Sequence, residues 1–418
     1  MGYTQHAIRG AGWNGALQVA TMLLSALKVI ILARILSPND FGLFALVAVT
    51  IGIVESFTET GINPTIIQSP KSIAYFLDTA WVISIVRGLI ISILMMTAGF
   101  GMRFIYDSPQ LFVLVGIASL IPIVKGLINP AIITLQKDLR FFRDSVYRLL
   151  VLIVEVTATI TLAVLSQSVY AMVFGLVISA LFEVGITWVM FSIRPRFSYL
   201  SSRAKEIFDN MKGLNVLSML GYAAENVDNL IVGKVVGTAG LGIYQNSYGF
   251  THKLNLQLAK SVQVGTFPVY ARIKDDQKRL KRAYLRTVLT SMGIFILIAT
   301  PVFLFPKESV LILLGNKWLA AVPLIRPLLV AGLLQSVVAM SSSLLVARRA
   351  YFWLNTNLLV TTVTMVVLVA ILGTQYGQIG AVSAVVIARA LALPASLYGV
   401  YETLHKKEVT APKATWNL

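Results

Sequence analysis

The chain has 418 residues, 57% of them hydrophobic and only 13% charged, with a formal charge of +17, no cysteine and three histidines. Soluble domains carry about 25% charged residues, so the composition excludes an ordinary soluble enzyme. The missing thiols exclude disulfides and thiolate metal sites, and His6, His252 and His405 are too scattered to form a metal cluster.

A bilayer is spanned by about 20 largely apolar residues. In chain order, apolar runs predict helices over 12–33, 40–60, 76–101, 110–135, 148–166, 169–192, 213–236, 240–265, 285–305, 321–346, 354–373 and 379–402. They are too long, and alternate too little, for barrel strands. No small-residue cleavage site follows the first run, which is expected to remain as a span. The eighth is the most polar, with His252, Lys253, Asn255, Gln257 and Lys260.

The basic residues sit in short loops, which argues against a nucleic-acid partner and orients the chain. The even loops hold Lys137, Arg140, Arg143 and Arg148, then Arg194, Arg196, Arg203, Lys205 and Lys212, then a run from Arg272 to Arg286, then Arg348 and Arg349. The odd loops hold only Arg34, Arg103, Lys234, Lys307 and Lys317. Both termini are therefore expected in the cytoplasm, where anionic headgroups attract the basic loops. Residues 201–212 read as a short amphipathic helix on that surface, with Ile207, Phe208 and Met211 on its apolar side.

The sequence repeats itself. Residues 31–47 align with 231–247, placing Arg34 on Lys234, Gly42 on Gly242 and Phe44 on Tyr244. Gly61-Ile-Asn-Pro64 matches Gly265-Thr-Phe-Pro268, and LQKDLRFF at 135–142 matches VARRAYFW at 346–353. Six spans per half keep both halves the same way up, which is a parallel repeat. The expected fold is all-α: about twelve transmembrane helices in two pseudo-symmetric six-helix lobes around a central cavity. The lobes read as 1–200 and 201–404, with a cytoplasmic tail at 405–418.

Polar residues inside spans are costly and turn toward a cavity or the bundle interior. Asn14, Gln18, Thr21, Ser25 and Lys28 form one stripe; Asn215, Ser218, Tyr222, Glu225 and Asn229 form another, with Asp228 beside it. Asn246, Lys253, Gln257 and Lys260 share a face, and Glu55 and Glu59 stand one turn apart. Hydrogen bonding in a dry bundle is the other reading of such stripes; their charged members favour a wet cavity. Cations at membrane depth are Lys28, Arg87, Lys125, Lys253, Lys260 and Arg389; anions are Glu55, Glu59, Glu155, Glu183, Glu225 and Asp228. Glu155 and Glu183 read as structural or protonated. At the 200-residue offset Lys28 falls on Asp228, which suggests a charge pair that opens when a phosphate competes for the lysine. No HExxH, GxSxG or Walker A motif is present, so no enzyme or ATPase signature is found.

The run ILARILSPNDFGLFAL followed by GINPTIIQ, and the run NVDNLIVGKVVGTAGLGIYQNSYGF, resemble the polysaccharide transporter (Wzx-like) branch of the multidrug/oligosaccharidyl-lipid/polysaccharide flippases. The resemblance covers most of the chain. It implies a flippase that moves undecaprenyl-pyrophosphate-linked sugar units across the bacterial inner membrane by alternating access, for O-antigen, capsule or exopolysaccharide. It implies no enzyme activity and no bound cofactor beyond Na+ or H+ coupling, with the lipid-linked oligosaccharide, membrane lipids and polysaccharide polymerase machinery as partners. The pyrophosphate-holding role carries over to Lys28, Lys253 and Lys260, and further to Arg87, Lys125 and Arg389. Asn14, Gln18, Tyr222, Tyr244 and Asn246 are candidate sugar contacts. Asp228 and Glu225, with Asn229, are the counterparts of an acidic cation site, although span eleven offers Asn357, Thr361 and Thr364 where an acidic partner would stand. Some members have fourteen spans; this chain reads as about twelve, which implies that a groove built by the last two is absent or replaced. The alternatives are a drug or small-molecule exporter of the same superfamily and, in a different class, a membrane polymerase or ligase. The short outer loops argue against the latter.

Overall fold

A computed structural model describes residues 3–57, 62–209 and 214–405; the side chains of 3–14, 16, 57, 214–221, 223–224, 252–261 and 263–264 lie outside that description. The helices are α1 Tyr3–Ile35, α2 Pro38–Phe57, α3 Ile62–Gln68, α4 Ile73–Ile105, α5 Pro109–Ala118, α6 Leu120–Gly126, α7 Thr134–Lys137, α8 Phe141–Ser166, α9 Tyr170–Met190, α10 Ser201–Asp209, α11 Leu214–Val235, α12 Gly237–Arg272, α13 Gln277–Leu304, α14 Pro306–Leu313, α15 Val322–Ala347 and α16 Tyr351–His405. Among the described residues, nine helical segments are long and apolar enough to cross a membrane. The 22-residue α11 and 36-residue α12 are also long enough, about 33 and 54 Å at 1.5 Å per residue. Both are more polar, and they carry many of the candidate site residues.

Two predicted elements differ in form. The fourth span is broken: α5 stops at Ala118, α6 runs to Gly126, and a 3₁₀ turn follows at Pro130–Ile133. Pro122 has no N–H to give to Ala118, and Pro130 cannot continue a helix. The break is stabilised by fully buried Asn129, whose amide donates to the Ile193 carbonyl at 2.9 Å while its oxygen accepts from the Ala131 N–H at 3.0 Å. Spans eleven and twelve form the two arms of α16, which part at Gly377, where φ is 60°. Only glycine takes that conformation without strain.

The chain divides into two compact units, residues 1–242 with 313–317, and residues 243–312 with 318–418. In the first, α1 lies along α8, α8 pairs with α9, α2 packs on α11, and α4 packs on α5 and α6. In the second, α15 packs on both α13 and α16.

The repeat is built into the backbone. A Cβ added at Gly42 would lie 1.7 Å from the Thr238 carbonyl oxygen, and one at Gly242 would lie 1.8 Å from that of Pro38. The two glycines, and the two residues they touch, are repeat equivalents, so the contact is reciprocal. The repeated turns also match. Leu139 and Arg349 both have φ of 57° and stand 210 residues apart, as do Gln167 and Gly377. In each of the first pair, three amides close the same hydrogen bonds: from Asp138, Leu139 and Arg140, and from Arg348, Arg349 and Ala350. The structural register is therefore one residue shorter than the alignment of 135–142 with 346–353.

Residues of the basic loops also make contacts within the protein. The Lys137 ammonium donates to the carbonyls of Ile66, Ser69 and Lys71 at 2.9, 2.8 and 2.5 Å, closing the C-terminal end of α3. Arg348 donates to the carbonyls of Lys274 and Thr403. The amphipathic α10 forms as expected, but Ile207 is fully buried with Ala204 against Ile62, Ile66 and Phe76, inside protein and not on lipid. Phe208 remains exposed, and Met211 lies outside the described residues.

Candidate functional site

Lys28 lies on α1, and its ammonium is 2.6 Å from the Glu155 carboxylate on α8, with 18% and 19% of the two side chains accessible. Within its own stripe, Gln18 and Thr21 are exposed and Ser25 is half-buried. The repeat had suggested Asp228 as the counter-charge of Lys28; in this conformation Glu155 occupies that place. Glu155 is the residue that spacing along one helix could not find, because its partner stands 127 positions away.

Tyr222, half-buried on α11, packs its ring over Gly52 of α2 and directs its hydroxyl at the Ala48 carbonyl, 3.4 Å away. Glu55 and Glu225 both lie within electrostatic range of that hydroxyl. The stripes of spans two and seven thus meet here. Asp228 and Asn229 are buried on the same helix, whereas Glu225 is exposed.

In the second unit, Arg389 is buried to 8% exposure on the second arm of α16. One guanidinium nitrogen donates to the Ala331 carbonyl at 3.0 Å, and the other to the Tyr248 hydroxyl. Its carbon also lies 5.5 Å from the Tyr248 ring centroid, a cation–π contact. Tyr248 stacks on the fully buried Tyr244, so that candidate sugar contact is tied to Arg389 through its neighbour. Among the described residues no carboxylate pairs with Arg389. Tyr248 was missed in the sequence; its position one turn after Tyr244 was the available signal. Asn357 is buried and donates to the Ala392 carbonyl at 2.7 Å, which ties up its amide in holding the two arms of α16 together.

The remaining candidates differ in exposure. Arg87 is half-buried on α4, Lys125 is exposed in the last turn of α6, and Asn246 is half-buried on α12. Glu183 accepts a 2.6 Å hydrogen bond from Tyr147, a pairing within α8 and α9. Asn14, Glu59, Lys253 and Lys260 lie outside the described side chains.

A chain built of helices, nine of which among the described residues are long and apolar enough to cross a membrane, is an all-helical, multi-pass membrane protein. Its fold is that of two solved transporters: the lipid II flippase MurJ in an inward closed conformation (TM-score 0.70, 12% identity, 92% of this chain and 87% of that one) and a multidrug resistance MATE family transporter in an inward-facing conformation (TM-score 0.68, 16% identity, 94% and 96%). Residues 31–323 match the polysaccharide biosynthesis protein family, and the chain belongs to that family. Among its relatives are the lipopolysaccharide biosynthesis protein WzxC of Escherichia coli K12 (22% identity, covering 83% of this chain and 71% of that protein) and the teichuronic acid biosynthesis protein TuaB of Bacillus subtilis 168 (20% identity, 84% and 74%).

Proposed function

We propose that the protein is a flippase. It carries undecaprenyl-pyrophosphate-linked oligosaccharides across the bacterial inner membrane by alternating access, for surface polysaccharide synthesis, with both termini in the cytoplasm and two six-helix lobes as the moving bodies. Family membership supports the polysaccharide part of this reading. The observation that carries the lipid-phosphate part is the state of the interior cations. Arg389 is buried with neutral oxygen partners, and Lys28 is held by one carboxylate that a phosphate can replace. Guanidinium and ammonium groups give charge-assisted hydrogen bonds to phosphate oxygens. Such a headgroup cannot cross about 30 Å of hydrocarbon unaided. Tyr222 and Asn246, both half-buried, are the candidates for sugar contact, whereas Tyr244 is fully buried in this conformation; Asp228, Glu225 and Asn229 are the candidates for coupling to Na+ or H+. Polymerase machinery is the expected downstream partner.

Deletion of the gene tests the proposal. Lipid-linked oligosaccharide should accumulate on the cytoplasmic leaflet while surface polysaccharide falls. If both pools are unchanged, the flippase reading is wrong.

A further inference from the structure

Lys28 and Glu155 raise a problem that the proposed function leaves open. A lone ammonium at membrane depth is costly when no substrate is bound, and a lone carboxylate equally so. A carrier with a bare phosphate-binding lysine would meet that cost on every empty return. Here the lysine is not bare: the Glu155 carboxylate lies 2.6 Å away, from a different helix. Each partner keeps nearly one fifth of its side chain accessible, so the pair is not sealed inside protein. Neither Lys28 nor Glu155 has another described partner.

We propose that Glu155 is a positioning residue that acts as an internal stand-in for substrate phosphate. It holds Lys28 when the carrier is empty, gives the lysine up to the pyrophosphate of the incoming lipid, and reclaims it at release. Binding is thereby weakened by the energy of the pair, and release is assisted by the same amount. A ligand that held Lys28 equally well in every state would drive no cycle. The exchange also selects for anions: a neutral headgroup cannot replace the carboxylate, while a pyrophosphate oxygen can. No covalent or redox step is involved. The inference rests on the flippase reading, because it takes Lys28 as a phosphate ligand.

The test uses purified full-length protein in lipid nanodiscs, titrated with farnesyl pyrophosphate, together with surface polysaccharide output in cells carrying each variant. Glu155→Gln should bind farnesyl pyrophosphate about tenfold more tightly, equivalent to about 1.4 kcal/mol, yet deliver polysaccharide several-fold more slowly. Glu155→Asp keeps the charge but shortens its reach, so it should fold as the native protein does and fall between the two in affinity. The double variant Lys28→Gln/Glu155→Gln should lose the tightening that Glu155→Gln shows over the native protein, since the gain needs a lysine to release. A merely structural Glu155 would give weaker binding and lower thermal stability together. Equal or weaker binding by both Glu155 variants, or tightening that persists without Lys28, overturns the inference while leaving the flippase reading intact. A native protein that binds no farnesyl pyrophosphate overturns both.

Discussion

Gly42→Ala should destabilise the first compact unit severely for the addition of one methyl group. The new Cβ would lie 1.7 Å from the Thr238 carbonyl oxygen, where ordinary contact begins near 3.4 Å, and the obstacle is backbone. No rotamer change relieves it; α2 and the start of α12 must part by well over 1 Å. Overpacking costs about 1–3 kcal/mol, and the rigidity of both partners places this case at the upper end. At roughly 2–4 °C per kcal/mol for a unit of this size, the melting temperature should fall by about 6–12 °C. Gly242→Ala should behave alike, since its Cβ would meet the Pro38 oxygen at 1.8 Å. The double variant should cost less than the two singles combined, because the first substitution has already separated the helices. Gly185→Ala and Gly293→Ala are the controls: both glycines are helical with open space where a Cβ would stand, so alanine should be neutral or slightly stabilising. The measurement is intrinsic-fluorescence melting of detergent-purified protein. A Gly42→Ala melting temperature within 2 °C of the native one, or equal losses in the controls, refutes the reciprocal contact.

Lys137→Met should lower stability by about 2–3 kcal/mol, the scale of hydrogen bonds to a charged group, since three carbonyls lose their donor; a melting temperature unchanged within 2 °C would show that these bonds are dispensable. Arg389→Lys should lose most polysaccharide output, because an ammonium cannot present the flat fork that reaches Ala331 and Tyr248 together, whereas Tyr248→Phe should lose less; output equal to native in Arg389→Lys would remove Arg389 from the site. The ion pair of Lys71 with Glu206 raises the lysine above its ordinary 10.5, chiefly through their hydrogen bond. A raised folded value means that the pair's contribution is complete below pH 10.5 and is lost as pH climbs through the higher value. Protease cleavage of the 191–200 linker beside α10 should therefore be flat from about pH 6 to 9 and rise only in stronger alkali; a rise near neutrality would assign the clamp to another group.

Much of this protein is written along the chain. Apolar runs and charge-bearing loops set the membrane class, because hydrocarbon tolerates only backbones whose hydrogen bonds close within the segment. The Gly42 and Gly242 runs marked the repeat, and their chemistry survives in the contact because only a residue without a Cβ permits that approach. Pro122 and Pro130 were legible too, and could have foretold the broken fourth span had backbone donors been counted. The pairings were not legible. Lys28 with Glu155, Arg389 with Tyr248, and Ile207 turned inward each depend on how one helix is rotated and seated against another. Periodicity within a helix names the face a residue occupies but not the helix that face will meet. The sequence by itself marked which segments are apolar enough to cross a membrane and which residues within them are costly there; the tertiary packing alone decided which partner each of them would find.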